Sequence, residues 1–391
     1  MNKIYVITGG TGFLGLSLVP ELLKDGDTLI FLGRSKKGIP LKKRLSEIFS
    51  SQNSGLDTSK IHAIEVDIDI ISGEEERITR EIGDIAFKVD GVWHLAAELS
   101  FKEKDRKSVF KVNLDGTKSI AMLADMLNAP LYYISTAYVH GGRTGLIRED
   151  ELIKPNFFNN VYEESKFRAE EFLRDWSKKT LSGLIIFRPG ILIDTDINSP
   201  VTLTSSFGYY AVAQAFGHLR KKLIFFVNRF PRFARYAGLY EKNGMLKIPF
   251  FLPNSKGCFL DFVPVASVVL CMKAIVVQPL AKGKTFHLSN LSPLPISLVI
   301  KEMLDGLHIR MSVITVSGSF GRFYFFVLKI LGNVFSVIKP FSKKIFIYRF
   351  YITSHCVHDM TNTLNFVSLN SFSKFEPKTL EHIANRIRKK I

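Results

Sequence analysis

The sequence predicts an α/β protein: a doubly wound parallel sheet with a smaller, mostly C-terminal substrate-binding portion. Three observations lead to this prediction. Short apolar runs alternate with helical spacing through the first half of the 391 residues. A glycine-rich turn directly follows the first apolar run. Beyond about Asp194 the alternation weakens, and basic, aromatic segments replace it.

The predicted strands are short and apolar, as is typical of strands buried on both faces of a parallel sheet. In chain order they are Lys3–Thr8, Thr28–Leu32, Ile61–Val66, Gly91–Leu95, Leu131–Ser135 and Leu184–Arg188. The helices predicted between them are Phe13–Lys24, a segment that ends near Leu127, and Asn160–Lys178. We therefore place the sheet domain at residues 1–195, and we expect residues 258–290 to return to it.

Residues 196–257 and 291–391 are predicted to form the substrate-binding portion. The chain has a net charge of +17, and most of this excess lies in two aromatic-rich segments, residues 218–247 and 321–391. Positive charge beside aromatic residues suits a lipid-like anion, an anionic membrane surface or nucleic acid. Nucleic acid is not expected as a partner, because no recognition motif is visible. A solvated basic face over an ordinary core is the alternative.

The longest apolar run is Phe323–Ile338, which contains Lys329 and is too short to span a bilayer. It predicts either an interfacial helix or the wall of an acyl pocket. The last segment, Thr379–Ile391, has the spacing of an amphipathic helix that packs on its own domain.

The cysteines are few and scattered, at Cys258, Cys271 and Cys356. They predict neither a disulfide framework nor a metal site, and they fit a reducing compartment. The N-terminus shows no secretion signal. A cytoplasmic protein is therefore expected, with peripheral association at a membrane as a further expectation.

The turn Thr8–Gly15 carries glycines at positions 9, 12 and 15. At the junction of a first strand and a first helix, such glycines let the backbone approach a pyrophosphate. The pattern therefore predicts a Rossmann-like dinucleotide site.

The second predicted strand ends in Arg34 and Ser35, where a carboxylate usually binds the ribose 2′-hydroxyl of NAD. A cation there suits a 2′-phosphate, so NADP(H) is favoured over NAD(H). A basic surface loop is the alternative. Asp67, after the third strand, is a candidate acceptor for the adenine amino group.

Tyr162 and Lys166 are four residues apart and share one face of a predicted helix. An ammonium near a phenol favours the tyrosinate, so we expect Lys166 to lower the pKa of Tyr162 and to reach the nicotinamide ribose. A hydroxyl at the end of the fifth strand, on Ser135 or Thr136, would complete a triad that binds a reacting carbonyl oxygen.

Several segments together resemble the extended short-chain dehydrogenases/reductases, and within them the fatty acyl-CoA reductase and thioester-reductase branch. These segments are Thr8–Gly15, His94-Leu-Ala-Ala97, Asn113-Leu-Asp-Gly-Thr117, Ser135–Gly141, Asn160–Glu170 and Arg188-Pro-Gly-Ile-Leu192. The resemblance is good over residues 1–195 and thin after them. Ala266 stands where many relatives carry Asp, and Gly190 where many carry Ser or Thr.

The resemblance implies an NADPH-dependent reductase that converts a fatty acyl thioester to an aldehyde, and whether reduction continues to an alcohol stays open. It implies Tyr162 as proton donor, Lys166 as its modulator, Thr136 as the carbonyl-orienting hydroxyl, and Asn113 at a helix kink with a role in a water relay. The cofactor-binding residues it implies are Gly9, Thr11, Gly12, Phe13, Leu14, Gly15, Arg34, Ser35, Asp67, Ile68, Ala96, Ala97, Tyr162, Lys166, Pro189 and Gly190. His94 and His140 are expected to be structural.

Two other functions stay open at this point. The same triad serves an extended family member acting on a sterol-like alcohol or on a nucleotide-sugar. A non-catalytic dinucleotide sensor is disfavoured because Tyr162 and Lys166 are both present. The acyl donor, whether coenzyme A or a carrier protein, and a homodimer are also left open.

Overall fold

The computed structural model describes residues 2–36, 38–52, 55–68, 72–196, 205, 207–334, 338–353, 356–372 and 375–391. Its strands are β1 (Ile4–Thr8), β2 (Thr28–Gly33), β3 (Ile61–Glu65), β4 (Gly91–His94), β5 (Leu131–Ile134), β6 (Gly145–Ile147), β7 (Leu184–Pro189), β8 (Ile191–Ile193), β9 (Tyr240–Lys242), β10 (Met245–Ser255), β11 (Phe259–Leu260), β12 (Phe262–Pro264), β13 (Thr285–Leu288), β14 (Leu294–Pro295), β15 (Ile309–Val316) and β16 (Cys356–His358).

The described helices are α1 (Gly15–Lys24), α2 (Leu41–Gln52), α3 (Glu75–Ile85), α4 (Arg106–Phe110), α5 (Gly116–Met126), α6 (Val161–Ser177), α7 (Gly208–Arg229), α8 (Pro231–Tyr236), α9 (Val265–Val276), α10 (Ile296–Gly306), α11 (Gly318–Val334), α12 (Lys339–Thr353), α13 (Thr361–Phe366) and α14 (Lys378–Lys390). A π-helical turn, Lys111–Asp115, joins α4 to α5.

A seven-stranded sheet in the order β13-β7-β5-β4-β1-β2-β3 forms the centre of the N-terminal half. All of its pairings are parallel. The strand order reverses at β1, which lies between β2 and β4. Ligands of open α/β sheets bind beyond the carboxyl ends of the strands at such a switch point. The predicted doubly wound sheet is confirmed, and its topology places a binding site at the end of β1.

Both faces of this sheet are covered, which explains why most of the residues in its strands are apolar. Side chains of α1, α2 and α9 pack on one face, and side chains of α3, α5 and α6 pack on the other. Residues 258–290 contribute α9 to this cover and β13 to the edge of the sheet, beside β7.

A second hydrophobic core holds together the segments outside the sheet. It joins α7, α10, α11, α12 and α14 with the three-stranded sheet β15-β10-β9. The C-terminal helix α14 buries Leu380, Ile383 and Ile387 in this core. Its apolar face is thus internal, as the spacing of the sequence indicates.

Helix α11 contains most of the longest apolar run and has two apolar faces. Phe325 is buried in the second core, whereas Phe320, Phe323 and Ile330 are exposed. Residues 335–337 of the run lie outside the described residues. Within the described part of the chain, no helix combines the length and the apolar character needed to cross a bilayer.

Candidate active site

The turn after β1 brings the backbone too close to its neighbours for a side chain. Gly9 has φ +71°, and a Cβ on it would lie 2.4 Å from the amide nitrogen of Ala96. A Cβ on Gly15 would lie 2.5 Å from the carbonyl oxygen of Gly10. Glycine is therefore required at both positions for the turn to fold against the end of β4. The result is a bare backbone surface at the N-terminus of α1, which suits a pyrophosphate.

This turn forms one end of a cavity of about 570 Å³. The cavity lies at the carboxyl ends of the strands and extends to Tyr162 and Lys166 on α6. Its walls include these residues implied by the resemblance: Gly9, Thr11, Gly12, Phe13, Leu14, Gly15, Arg34, Asp67, Ile68, Ala96, Ala97, Tyr162, Lys166, Pro189 and Gly190. Ser35 is exposed and is not part of the wall. The shape and the glycine surface fit a dinucleotide.

The end of the cavity near β2 is basic. Arg34 lies 3.3 Å from the Asp67 carboxylate, so the two candidates for the adenosine moiety contact each other. Arg44 on α2 donates to the carbonyl oxygen of Arg34 at 2.9 Å and to the Thr11 hydroxyl at 3.3 Å. Lys36 and Arg44 also line the cavity. Three cations and one carboxylate therefore line this end of the cavity.

Tyr162, Lys166 and Thr136 line the other end of the same cavity. Helix α6 begins at Val161 because the Asn160 side chain caps it: the side-chain oxygen accepts a hydrogen bond from the Glu163 amide. This start places Tyr162 in the first turn and Lys166 in the second. The Lys166 ammonium donates to the carbonyl oxygen of Ile134 at 2.8 Å, which ties α6 to the end of β5.

Burial dominates the electrostatics of this pair. It raises the pKa of the Tyr162 phenol above its usual value, and Glu163 adds to the shift. Burial also lowers the pKa of Lys166 to about 7, although Glu170 opposes this. The expectation that Lys166 lowers the phenol pKa is therefore wrong for this structure, because desolvation favours the neutral form of both groups. A protonated phenol is the form that can donate a proton.

The hydroxyls of Ser135 and Thr136 have different surroundings. Ser135 donates to the Glu170 carboxylate, which also forms a fully buried ion pair with Arg188 at 2.6 Å. Thr136 caps the short 3₁₀ turn Ala137–His140 and accepts only a weak contact from the Tyr138 amide, at 3.3 Å. Among the described residues, no acceptor binds the Thr136 hydroxyl proton, and the residue lines the cavity.

Asn113 lies in the π-helical turn and is buried. Its oxygen accepts from the Glu98 amide at 2.8 Å, and its amide nitrogen donates to the Glu98 carbonyl and the Ser165 hydroxyl. It does not line the cavity that extends from the glycine turn to Tyr162 and Lys166. Asn113 therefore joins the loop after β4 to α6, the helix that carries Tyr162.

His94 is also structural. It is fully buried between the hydroxyls of Thr8, at 2.6 Å, and Thr117, at 3.0 Å. Burial lowers the pKa of its imidazole to about 3, with Lys166 adding to the shift. The ring is therefore neutral and fixes the end of β1 against α5.

A second, smaller cavity of about 280 Å³ meets the first at Thr136, Tyr162 and Gly190. Its walls are almost entirely apolar and come from both halves of the chain. They include Phe13, Leu99, Tyr210, Phe216, Leu252, Phe262, Ile296, Val299, Ile300, Met303, Phe325 and Ile345. The basic cavity and the apolar cavity share seven wall residues: Phe13, Leu99, Thr136, Tyr162, Gly190, Leu192 and Phe207.

Comparison with known proteins identifies the family. Residues 7–227, more than half of the chain, match the model of an NAD-binding domain described as Male sterility protein. The chain belongs to the Male sterility protein family. Its fold is that of the extended short-chain dehydrogenases/reductases.

Curated relatives of this Male sterility family member have several activities. Fatty acyl-CoA reductase wat of Drosophila melanogaster is 29% identical over 240 residues, which are 51% of this chain and 45% of the relative. A 3-beta-hydroxysteroid dehydrogenase of Mycolicibacterium neoaurum is 25% identical over 170 residues, 43% of this chain and 42% of the relative. The matches thus span less than half of these relatives.

Solved structures agree on the fold of the Male sterility family member. The terminal R domain from the myxalamid PKS-NRPS pathway has a TM-score of 0.73 at 21% identity, covering all of this chain and 91% of the domain. A UDP-glucuronic acid 4-epimerase from Bacillus cereus, in complex with NAD, has a TM-score of 0.61 at 15% identity, covering 99% of this chain and 97% of the epimerase.

Aromatic contacts between the two halves of the chain add site residues that no sequence motif marks. Phe101 stacks on Tyr162, with ring centroids 5.8 Å apart, and contacts Tyr348 and Tyr351 of α12. The Tyr351 hydroxyl donates to the Glu163 carboxylate and accepts from Asn160. Helix α12 thus covers the first turn of α6. No short motif marks these aromatic residues, because their partners are distant in sequence.

Gly190 and Asp261 explain one departure from the family pattern. A Cβ on Gly190 would lie 2.7 Å from the Asp261 carbonyl oxygen and 2.8 Å from its carboxylate. Asp261 in turn accepts from the His358 ring at 2.8 Å. In this member of the Male sterility family, glycine at position 190 leaves room for that carboxylate.

Proposed function

We propose that this chain is an NADPH-dependent reductase of fatty acyl thioesters. The observation that carries the proposal is the junction of the two cavities at Thr136, Tyr162 and Gly190. One cavity has the glycine surface and cations that suit a phosphorylated dinucleotide. The other has apolar walls that suit an acyl chain. A thioester carbonyl at the junction would lie between them.

The bound reduced nicotinamide would supply the hydride. Thr136 and Tyr162 would donate hydrogen bonds to the carbonyl oxygen, and this would stabilise the negative charge that develops on it. Tyr162, whose raised pKa keeps it protonated until then, would give its proton to that oxygen and so form a hemithioacetal. In the collapse of the hemithioacetal the tyrosinate would take the hydroxyl proton back, the C–S bond would break, and a thiolate would leave with an aldehyde as the product.

Lys166 would bind the nicotinamide ribose in this reaction. Its ammonium donates one hydrogen bond to the Ile134 carbonyl oxygen, and the residue lines the cavity, so two N–H groups would remain for the coenzyme. Because burial brings the pKa of Lys166 to about 7, a nearby carboxylate or phosphate is needed to keep the ammonium charged in neutral solution.

The choice of NADPH rests on the basic end of the cavity. Arg34, Lys36 and Arg44 line it with Asp67 as the acidic neighbour. A ribose 2′-phosphate brings about two negative charges there, whereas a 2′-hydroxyl brings none. Charge-assisted hydrogen bonds to these cations therefore favour NADPH over NADH.

A sterol-like alcohol is a second candidate substrate. A hydroxysteroid dehydrogenase is among the relatives, and the apolar walls suit a sterol as well as an acyl chain. The aromatic residues Phe101, Tyr348 and Tyr351 do not discriminate between a sterol and an acyl chain. A nucleotide-sugar is disfavoured, since the smaller cavity offers few polar groups to bind one.

The test is an NADPH-consumption assay over long-chain acyl-CoAs, fatty aldehydes and hydroxysteroids, with identification of products. We expect acyl-CoA-dependent oxidation that falls by about 10²–10⁴-fold in kcat for Tyr162→Phe. Tyr132→Phe, which removes a hydroxyl that contacts the Asp90 carbonyl oxygen at 3.4 Å and that lies outside both cavity walls, is the matched control. Turnover of hydroxysteroids alone, or full activity of Tyr162→Phe with acyl-CoA, would contradict the proposal.

We further propose that an anionic bilayer is a partner of this reductase. Helix α11 exposes Phe320, Phe323, Phe326 and Ile330, and Arg322 is exposed among them. The same helix puts Phe325 into the wall of the apolar cavity. A helix that is apolar on two faces needs a partner for the outer one, and interleaved cations suit anionic headgroups.

The segment α7–α8 has the same character. Phe225, Phe230, Phe233 and Tyr236 are exposed, and exposed arginines at positions 229, 232 and 235 alternate with them. Two elements of the second core thus present aromatic side chains beside positive charge. A bilayer would then supply the lipid-like substrate next to the cavity that takes it.

A further inference from the structure

A histidine–cysteine cluster lies outside both cavities, where β16 meets the turn after β5. It contains His140, Cys356 and His358, and one ligand-type atom from each lies within 4.8 Å of the others. None of the three lines either cavity. The sequence predicts no metal site here, because His140 belongs to the first half of the chain and the other two lie near its end.

The ring nitrogens of this cluster have unused coordination capacity. His140 is 4% exposed, yet neither of its ring nitrogens has a hydrogen-bond partner. Nε2 of His358 is also buried without a partner. Buried polar atoms without partners are rare and costly, so the arrangement needs an explanation. Ring centroids of the two histidines are 5.7 Å apart, which suits binding of one ion by both.

Asp261 supplies the outer partner that metal-binding histidines usually have. Its carboxylate lies 2.8 Å from Nδ1 of His358, so in the zinc-bound form Nδ1–H would donate to Asp261 and Nε2 would give up its proton and bind the ion. The other carboxylate oxygen accepts from the Asn290 amide at 2.6 Å. A carboxylate–histidine pair of this kind fixes the tautomer and orientation of a metal ligand.

We propose that His140, Cys356 and His358 form a binding site for a zinc ion. One thiolate and two imidazoles are a donor set that zinc prefers, whereas magnesium and calcium require oxygen ligands. Zinc bound to one thiolate has a net charge of +1, which the Asp261 carboxylate balances. Zn–N distances near 2.1 Å and a Zn–S distance near 2.3 Å require the three donors to approach by about 1 Å. A water molecule completes the tetrahedral set.

The proposed ion has a structural role. Strand β16 pairs in parallel with β6, and zinc would add a second connection between this C-terminal strand and the turn Ala137–His140. Tyr138 of that turn contacts the His358 ring edge-on at 5.7 Å and lines the apolar cavity. Zinc would therefore hold one wall of the substrate cavity in place.

The experiment uses the full chain after removal of metal by a chelator and dialysis. Zinc is titrated against a chromophoric competitor, and Co²⁺ is used as a spectroscopic substitute. We expect one zinc per chain, a thiolate-to-cobalt charge-transfer band, and a higher melting temperature with zinc. Zinc affinity should fall by more than about 100-fold in Cys356→Ala and in His140→Ala, since each removes a ligand. It should fall by about 10–100-fold in Asp261→Asn, since Asp261 is an outer partner of a ligand.

Matched controls exist for both donor types. Cys271→Ala removes a buried thiol inside α9, and His382→Ala removes an exposed imidazole on α14. Both should bind zinc as the parent chain does. Equal zinc binding by folded Cys356→Ala would overturn the proposal. If the ligand variants do not fold, the parent chain decides by itself. Absence of the cobalt–thiolate band in the folded parent chain would overturn the proposal.

Discussion

Arg44 is the clearest single residue by which to test cofactor choice. It lies in the first turn of α2 and contacts the loop of Arg34 and the Thr11 hydroxyl in the cavity wall. A hydrogen bond between charged groups contributes about 1.5–3 kcal/mol. Arg44→Ala should therefore raise the KM for NADPH by about 10–100-fold and change the KM for NADH much less.

Lys43→Ala is the control for this prediction, because Lys43 is exposed on the same helix and lies outside the cavity wall. Steady-state kinetics with each coenzyme give the answer. Equal weakening of both coenzymes by Arg44→Ala would mean that the guanidinium does not meet a 2′-phosphate.

Glu163 gives a pH-dependent prediction. Burial raises its pKa from 4.5 to about 7, partly offset by hydrogen bonds from Tyr351, Asn159 and Asn160. Since the folded pKa exceeds the unfolded one, the stability that Glu163 contributes is greatest below pH 4.5 and is lost as the pH rises to about 7. Glu163→Gln removes this dependence. Relative to the parent chain, its free energy of unfolding should rise by up to about 3 kcal/mol across that interval.

Chemical denaturation at a series of pH values measures this difference. Glu171→Gln, at an exposed position of the same helix, is the control and should follow the parent chain. Parallel pH profiles for Glu163→Gln and the parent chain would show that the carboxyl is ionised in the folded protein.

At the residue scale, the sequence could indicate positions that lie in short local motifs. The glycine turn and the pair Tyr162 and Lys166 are of this kind, and the structure brings them to one cavity. Arg44 and Tyr351 could not be found in this way, because their roles depend on contacts between distant segments. The direction of the Tyr162 pKa shift also depends on burial, which a four-residue spacing does not reveal.

At the scale of single elements, α11 carries the membrane prediction. Phe323 is 61% exposed, and burying a large apolar side chain contributes about 1.5–3 kcal/mol. The double change Phe320→Ser and Phe323→Ser should therefore lower affinity for vesicles that contain phosphatidylserine by at least about 10-fold. Salt should weaken the remaining binding, since the cations act through screened electrostatics.

Phe87→Ser is the control, because Phe87 is fully exposed and lies after α3, in the N-terminal half. Vesicle sedimentation measures binding, and size-exclusion chromatography of the same variants reports the oligomeric state. Unchanged sedimentation together with a loss of dimer in the double variant would assign the exposed face of α11 to a second copy of the chain.

Six of the seven strands of the sheet were predictable because each is a short apolar run, whereas β13 was expected only as part of a returning segment. The observed bounds differ from the prediction by one residue at β2 and at each end of α6. Helix α1 begins two residues later than predicted, at Gly15, because the glycine turn extends past Phe13. Helices α11 and α12 were less predictable. Residues that face the apolar cavity and residues that face outward are both apolar, so the pattern of α11 does not separate its two faces.

At the scale of the whole molecule, two cores meet at one reaction site. The sheet domain supplies the cavity with the glycine turn, and the second core supplies most of the apolar walls. Tyr351 and Phe325 come from the last quarter of the chain and line the same cavity as Thr136. The sequence could predict the cavity with the glycine turn by resemblance. The apolar walls depend on packing between distant segments, which has no local sequence signature.

Hydride transfer from NADPH to a thioester carbonyl is the central claim, and isotope transfer measures it most directly. The full chain is incubated with a long-chain acyl-CoA and NADPH that carries deuterium at the nicotinamide C4. Mass spectrometry then follows the acyl product and free coenzyme A. We expect one deuterium at C1 of a fatty aldehyde, or of the alcohol formed from it, for each coenzyme A released. Release of coenzyme A with an unlabelled fatty acid, or no release at all, would contradict the claim.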